Sequence, residues 1–274
     1  MIDITILVCL YKKSIEESDT IQSLLKANIG TINSTIYIWD NSPESLNEES
    51  LVYLSSNFRN FIYNHTPENV PLSKIYNNVI SSLTCENCFL MLCDDDSNIP
   101  VNFFGILENQ IRLHPSINLF LPQIYSDTVL VSPAKDYFVF TKYIKNLNSG
   151  LLKSKYTTAI NSGMVISNRV FKAGFKYNES LKFYGTDNYF MLEYARLYPQ
   201  LNVLDVNIIH NLSYNTSDDV ENKIRIFKEI RKANKIIYKK YKLTRAIVML
   251  NNLLVSLKLS LKYKTIFFFF DKDK

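Results

Sequence analysis

Three consecutive carboxylates, Asp94-Asp95-Asp96, follow closely on the apolar run Cys88-Phe89-Leu90-Met91-Leu92. Adjacent carboxylates repel one another, and taking them out of water beside an apolar strand is costly without a compensating charge. A divalent cation supplies that charge. Hard oxygen ligands at a strand end, with positions left open for phosphate oxygens, describe Mn2+ or Mg2+ holding a diphosphate. The plainer alternative is a solvated loop capping the next helix, a role that Asp and Ser favour. A second polar cluster, Asp40-Asn41-Ser42-Pro43, ends the apolar run at 34–39. A further carboxylate, Asp187, stands in Phe183-Tyr184-Gly185-Thr186-Asp187-Asn188, ahead of an apolar helical stretch. A carboxylate at such a turn is a candidate general base. Gly185 lets the chain turn closely there, and the positive end of the following helix favours the ionised form that a base requires. Its simpler role is that of a helix N-cap.

The elements that must position these groups follow from periodicity. Residues 4–10, 34–39, 61–64 and 88–92 are strand-length apolar or β-branched runs, and residues 15–25 and 72–83 carry apolar positions at helical spacing. Strands alternating with helices predict a mostly parallel sheet with right-handed crossovers, whose ligands sit beyond the carboxyl ends of the strands. Both polar clusters fall at such ends, which makes them candidates for one pocket. Residues 118–158 hold several strand-like pieces. Asn161-Ser162-Gly163 reads as a turn feeding another strand, residues 189–197 as a helix, and residues 202–209 as a late strand ending at His210. The chain thus divides into an α/β body, residues 1–215, and a basic helical extension, residues 216–274.

Composition agrees. Of 274 residues, 47% are hydrophobic and only 6 are Gly, which excludes a disordered or collagenous chain and leaves room for a large core. Charge is uneven: residues 221–264 hold 13 basic and 2 acidic residues, against 16 and 22 over residues 1–220. Cys85 and Cys88 have CxxC spacing, but a zinc site needs a second ligand pair, and His65, His114 and His210 do not supply one. With no leader-like segment ahead of the first strand, the four cysteines read as reduced thiols of a cytoplasmic protein. The most apolar stretch, 246–261, is interrupted by Asn251, Asn252, Ser256 and Lys258, so no uninterrupted run of membrane-spanning length is expected. The basic residues from Lys223 to Arg245 interleave with Ile224, Phe227, Ile230, Ile236, Ile237, Tyr238 and Tyr241, as in an interfacial helix on anionic lipid, with the later segment 247–261 and Phe267 to Phe270 adding apolar contact. Packing on the body with a solvated basic face is the alternative. No nucleic-acid-binding module accompanies the charge, so nucleic acid is not an expected partner.

In order and spacing, these motifs resemble the family 2 glycosyltransferases, over roughly residues 3–215. The resemblance rests on Val8-Cys9-Leu10-Tyr11 ending the first strand, Asp40-Asn41-Ser42-Pro43, Asn69-Val70-Pro71 leading to Tyr76-Asn77, and Asp94-Asp95-Asp96-Ser97 as a DxD motif. Ser162-Gly163, Gly185-Thr186-Asp187 and a late His210 complete it. It implies a GT-A (nucleotide-diphospho-sugar transferase) fold and an inverting hexosyltransferase of the bacterial polysaccharide, capsule or O-antigen type. The donor would be a UDP- or dTDP-linked sugar, and the acceptor a hydroxyl of a lipid-linked or growing surface glycan. The enzyme would lie peripherally on the inner face of the plasma membrane.

By the same resemblance, Asp40 would bond the base, with Leu10, Tyr11, Asn41, Asn69, Asn77, Asp94 and Asp95 completing the nucleotide-sugar site. Asp96 would hold the metal, joined by His210. Asp187 would be the catalytic base, and Tyr184, Gly185 and Thr186 would meet the acceptor. Two positions depart from the pattern: Thr186 replaces an acidic residue, and Pro71 replaces a glycine. Two other functions fit the same sheet. A sugar-1-phosphate nucleotidyltransferase needs a Gly-rich loop after its first strand, which Tyr11-Lys12-Lys13-Ser14 lacks. A non-catalytic, membrane-associated binding module is the second.

Overall fold

The computed structural model describes residues 1–30, 32–145, 147–209 and 219–269. Its first half alternates strands and helices, with two helices, α2 and α4, beyond those the sequence predicts: β1 (Asp3–Leu10), α1 (Asp19–Lys26), β2 (Asn33–Asp40), α2 (Glu48–Asn57), β3 (Phe61–His65), α3 (Leu72–Ser82), β4 (Phe89–Asp94) and α4 (Phe103–Leu113). A strand-rich middle follows, with β5 (Leu119–Ser126), β6 (Val129–Ser132), β7 (Ala134–Asp136), β8 (Thr141–Tyr143), β9 (Gly150–Lys153) and β10 (Thr157–Thr158). Then come β11 (Met164–Ser167), α5 (Asn168–Lys172), α6 (Thr186–Leu197), β12 (Gln200–Ile209), α7 (Val220–Ile237) and α8 (Lys242–Tyr263).

The main sheet has the order β3-β2-β1-β4-β11-β5-β12-β9, with β6 beside β5, and a small second sheet has the order β10-β7-β8. β1 reads as a continuous apolar run because both its faces are covered. Ile4, Ile6, Val8 and Leu10 point into a core shared with α1 and α4, while Leu7 packs on the other side with α3 and α6. β3, β2, β1 and β4 are mutually parallel, as are β5 and β12.

Two register facts position the site. Leu10 pairs with Asp40 and Cys9 with Asp94, so both acidic strand ends emerge at one edge, on either side of the β1 terminus. β11 lies between β4 and β5 and runs antiparallel to both. Its start therefore lies at that same edge and delivers Asn161-Ser162-Gly163 to it, with Gly163 N donating to Leu92 O at 2.7 Å.

Some expectations are corrected. The first helix begins at Asp19 rather than near Ile15, because Ser18 is the N-cap and its hydroxyl accepts from Ile21 N at 3.3 Å. In α7, Ile226, Phe227, Ala233 and Ile237 are buried, and Ala233 and Ile237 pack with Leu181, Phe138 and Leu192 of the body. Its apolar face is thus taken up by protein and is not free for lipid. The 22-residue α8 is by length and composition apolar enough to cross a bilayer, although Asn251, Asn252, Ser256 and Lys258 interrupt it as the sequence indicates. The expected boundary at 215/216 and His210 lie outside the described residues.

Candidate active site

A cavity of about 520 Å³ opens at the carboxyl edge of β1, β2 and β4. Leu10 and Tyr11 border it from β1, Asn41 and Asn69 from the adjoining loops, and Asp94, Asp95 and Asp96 from the end of β4. Tyr184, ahead of α6, and Arg225 of α7 border it too. Eight of the expected site residues thus share one space.

Each aspartate of the triplet is held differently. Asp94 Oδ2 accepts from Ser162 Oγ at 2.7 Å, while Asp94 N donates to the same hydroxyl at 3.3 Å. The Asp94 carbonyl accepts from Thr20 Oγ1 at 2.6 Å, and that of Asp95 from the Ser18 hydroxyl at 2.8 Å. The start of α1 therefore clamps the backbone of the triplet. The Asp95 carboxylate binds Lys13 Nζ at 2.7 Å and accepts from Tyr11 N at 3.2 Å. Burial raises its pKa, and the Lys13 ammonium partly offsets that rise. Asp95 thereby orders the loop after β1. Asp96 also borders the cavity, and its Oδ1 is sealed from solvent.

Among the described residues, no three His, Cys, Asp or Glu side chains are grouped closely enough to enclose a metal ion. The arrangement fits a cation of the Mg2+ type, which takes one or two carboxylates and completes its shell with water and substrate phosphates. Asp94 and Asp96, both bordering the cavity, are the residues that would hold it.

The asparagines and Asp40 are each tied into the surrounding chain, and Asp40 also lines the neighbouring cavity. Asp40 is 1% exposed; its Oδ1 accepts from Ser42 N at 3.0 Å and its Oδ2 from Tyr63 Oη at 2.7 Å and Leu46 N at 3.2 Å. It orders the 42–46 loop, which lines a wider neighbouring cavity of about 890 Å³ together with Lys12 and Lys13. Asn41 Nδ2 donates to Asn69 Oδ1 at 2.7 Å and Val70 O at 2.9 Å, while its Oδ1 accepts from Thr66 Oγ1 at 2.8 Å and Val70 N at 2.9 Å. Asn69 sits at φ 48°, a left-handed position that Asn tolerates better than most residues. Asn77, expected in the donor site, does not border the cavity. Its side chain is bonded to the backbone of Tyr177 and to Glu179.

Gly185, Thr186 and Asp187 follow Tyr184 in the chain but do not themselves border the cavity. Gly185 precedes α6 at φ 82°, and a Cβ there would lie 2.9 Å from Ala233 Cβ and 3.0 Å from Ile237 Cδ1. Glycine is required both by the turn and by the close approach of α7. Thr186, expected to meet an acceptor, is buried and accepts from Asn161 Nδ2 at 3.1 Å. Asp187 follows, with its Oδ1 accepting from Asn188 N at 2.8 Å. Burial dominates, with Asp94 adding repulsion, and the pKa rises to about 6 despite the Asn188 bond. A carboxylate poised near neutrality is suited to accept a proton.

Ser162 and Asn161 thus join the two halves of the site: one bonds Asp94 and the other Thr186. Ser162 was visible in the sequence as a motif residue. The roles of Asn161, Thr20, Lys13 and Arg225 depend on contacts across the fold and carry no local signal.

Solved structures share this architecture. Staphylococcus aureus TarS superposes with a TM-score of 0.60 at 14% identity, over 86% of this chain and 40% of that one. The chain has the GT-A fold. Its 1–349 fragment in complex with UDP matches at 0.58 and 15% identity, over 85% of this chain and 64% of the fragment. GalNAc-T7 with UDP, GalNAc and Mn2+ matches at 0.60 and 12% identity, over 97% of this chain and 55% of that one. The chain thus spans less than half of TarS and just over half of GalNAc-T7. At these identities the similarity is one of fold. No protein-family model and no curated protein sequence matches the chain.

Proposed function

We propose that this GT-A protein is a metal-dependent, inverting glycosyltransferase of the family 2 type. The observation that carries the proposal is the placement of Asp94 and Asp96 on a cavity at the carboxyl edge, linked through Ser162 and Asn161 to the turn that presents Asp187. The donor would be a UDP- or dTDP-sugar, with its base toward the 42–46 loop and its diphosphate beside Asp94, Asp96 and Arg225. The UDP, UDP-GlcNAc and Mn2+ in structures of similar fold support that choice. Bound Mn2+ or Mg2+ would supply Lewis-acid stabilisation of charge on the leaving diphosphate.

The protein's own part is positional and acid–base. Asp187 takes the proton of the acceptor hydroxyl as that oxygen bonds the anomeric carbon and the bond to the diphosphate breaks. Tyr184, at the cavity rim, offers an aromatic face to a sugar ring. The acceptor would be a lipid-linked or growing surface glycan of the O-antigen or capsule kind, met peripherally at the inner face of the plasma membrane.

A panel of nucleotide sugars incubated with Mn2+ tests the reading. Asp96→Ala should abolish metal-dependent donor turnover and weaken donor binding. Asp187→Asn should bind donor normally but fail in transfer. Normal turnover by both variants overturns the assignment.

A further inference from the structure

The outward face of α8 carries a row of exposed apolar side chains. Leu243, Ile247, Leu250, Leu254, Leu257 and Leu261 recur at alternating spacings of four and three, and each is between 49% and 77% exposed. At 100° per residue they form one stripe along the helix, which is about 33 Å long. The opposite face is committed to protein. Val248, Asn252 and Ser256 are buried, and Asn234 Nδ2 donates to Asn252 Oδ1 at 3.3 Å; at the side of the helix, Asn251 Nδ2 donates to Val139 O at 3.3 Å. Lys258 and Lys262 lie on one shoulder of the stripe, and Lys242 on the other. Ile266 and Phe267, just beyond the helix, are also exposed.

We infer that α8 lies in the plane of an anionic lipid surface, with this stripe in the acyl boundary and the flanking lysines at the headgroups. The inference deepens, and rests on, the peripheral membrane location proposed above, but it does not depend on the donor or the chemistry. It also moves the lipid-facing surface from α7, whose apolar residues are buried, to α8.

Two other occupants are disfavoured by the same residues. The spacing matches a coiled-coil seam, but residues 242–264 contain no Asp or Glu. A second copy would set lysines against lysines with no carboxylate to answer them, whereas anionic headgroups supply the complementary charge. A membrane-spanning course would carry Asn252, Ser256 and the packed α7, with Arg231, Lys232 and Lys235, into hydrocarbon.

The test is flotation of the full chain with vesicles of phosphatidylcholine alone and of phosphatidylcholine containing about one-third phosphatidylglycerol. The protein should bind the anionic vesicles at least about tenfold more tightly than the neutral ones. Leu250→Glu with Leu257→Glu should abolish binding, and Lys258→Glu with Lys262→Glu should remove only the anionic preference. These positions are exposed, so an unchanged melting temperature certifies the fold. Equal vesicle binding by parent and Leu250→Glu/Leu257→Glu overturns the inference. So does a parent that ignores vesicles but is a dimer by light scattering and becomes monomeric in that variant. Neither readout uses donor or acceptor, so a failure here is distinct from a failure of glycosyl transfer.

Discussion

The Ser162 hydroxyl donates to Asp94 Oδ2 at 2.7 Å and accepts from the Asp94 backbone N–H at 3.3 Å, which fixes the first carboxylate of the triplet to the antiparallel strand beside it. The neighbouring Asn161 bonds Thr186 at the start of α6. A two-residue turn therefore ties Asp94 to the segment that carries Asp187.

Ser162→Ala should leave the fold intact and release the Asp94 carboxylate. Outer-shell partners of this kind are worth roughly 10–100-fold in metal affinity. UDP affinity in the presence of Mn2+ should fall by about tenfold, read by titration calorimetry.

The raised pKa of Asp187 predicts a rate that falls as pH drops through about 6, because the protonated base can take no second proton. Its sign for stability is opposite. A carboxyl whose folded pKa lies above its usual 3.8 loses stability for the fold as pH rises between those values. Asp187→Asn should therefore lose transfer by about 100-fold or more. It should melt a few degrees higher near neutral pH, with no gain near pH 4.

Asn41→Ala removes four hydrogen bonds that tie the end of β2 to the 66–70 segment. A loss of about 2–3 kcal/mol in chemical denaturation is expected. Because Asn69 borders the cavity, donor KM should rise more than kcat falls.

Gly185→Ala places a methyl group 2.9 Å from Ala233 Cβ at a left-handed backbone position. Overpacking and backbone strain should together destabilise the protein by about 2–4 kcal/mol. Protease cleavage should then appear first in α7, the helix that the methyl displaces.

Much of the fold was legible because β1, β2 and β4 are buried on both faces and so read as unbroken apolar runs ended by polar clusters. α2 was not legible: within it only Leu54 is buried, so it has no apolar stripe to reveal it. α4 does carry buried Phe103, Phe104, Leu107 and Ile111 at helical spacing, but Gly105 interrupts the pattern. At the site, the triplet and Asp187 stood out because clustered or turn-borne carboxylates are chemically conspicuous. Residues 77 and 186 carry polar side chains too, yet their partners are the Tyr177–Glu179 segment and Asn161, distant in sequence. The rise in the Asp187 pKa had no signal in the sequence, since the helix end is visible there whereas burial is not.

The central claim is that Asp94 and Asp96 grip a divalent cation that clasps a nucleotide diphosphate. Titration of UDP into the full chain, with Mn2+ and then with a chelator, tests it most directly. Binding that requires Mn2+ and vanishes in Asp94→Asn/Asp96→Asn is the expected result; UDP binding of equal strength without metal, or in that variant, would contradict it.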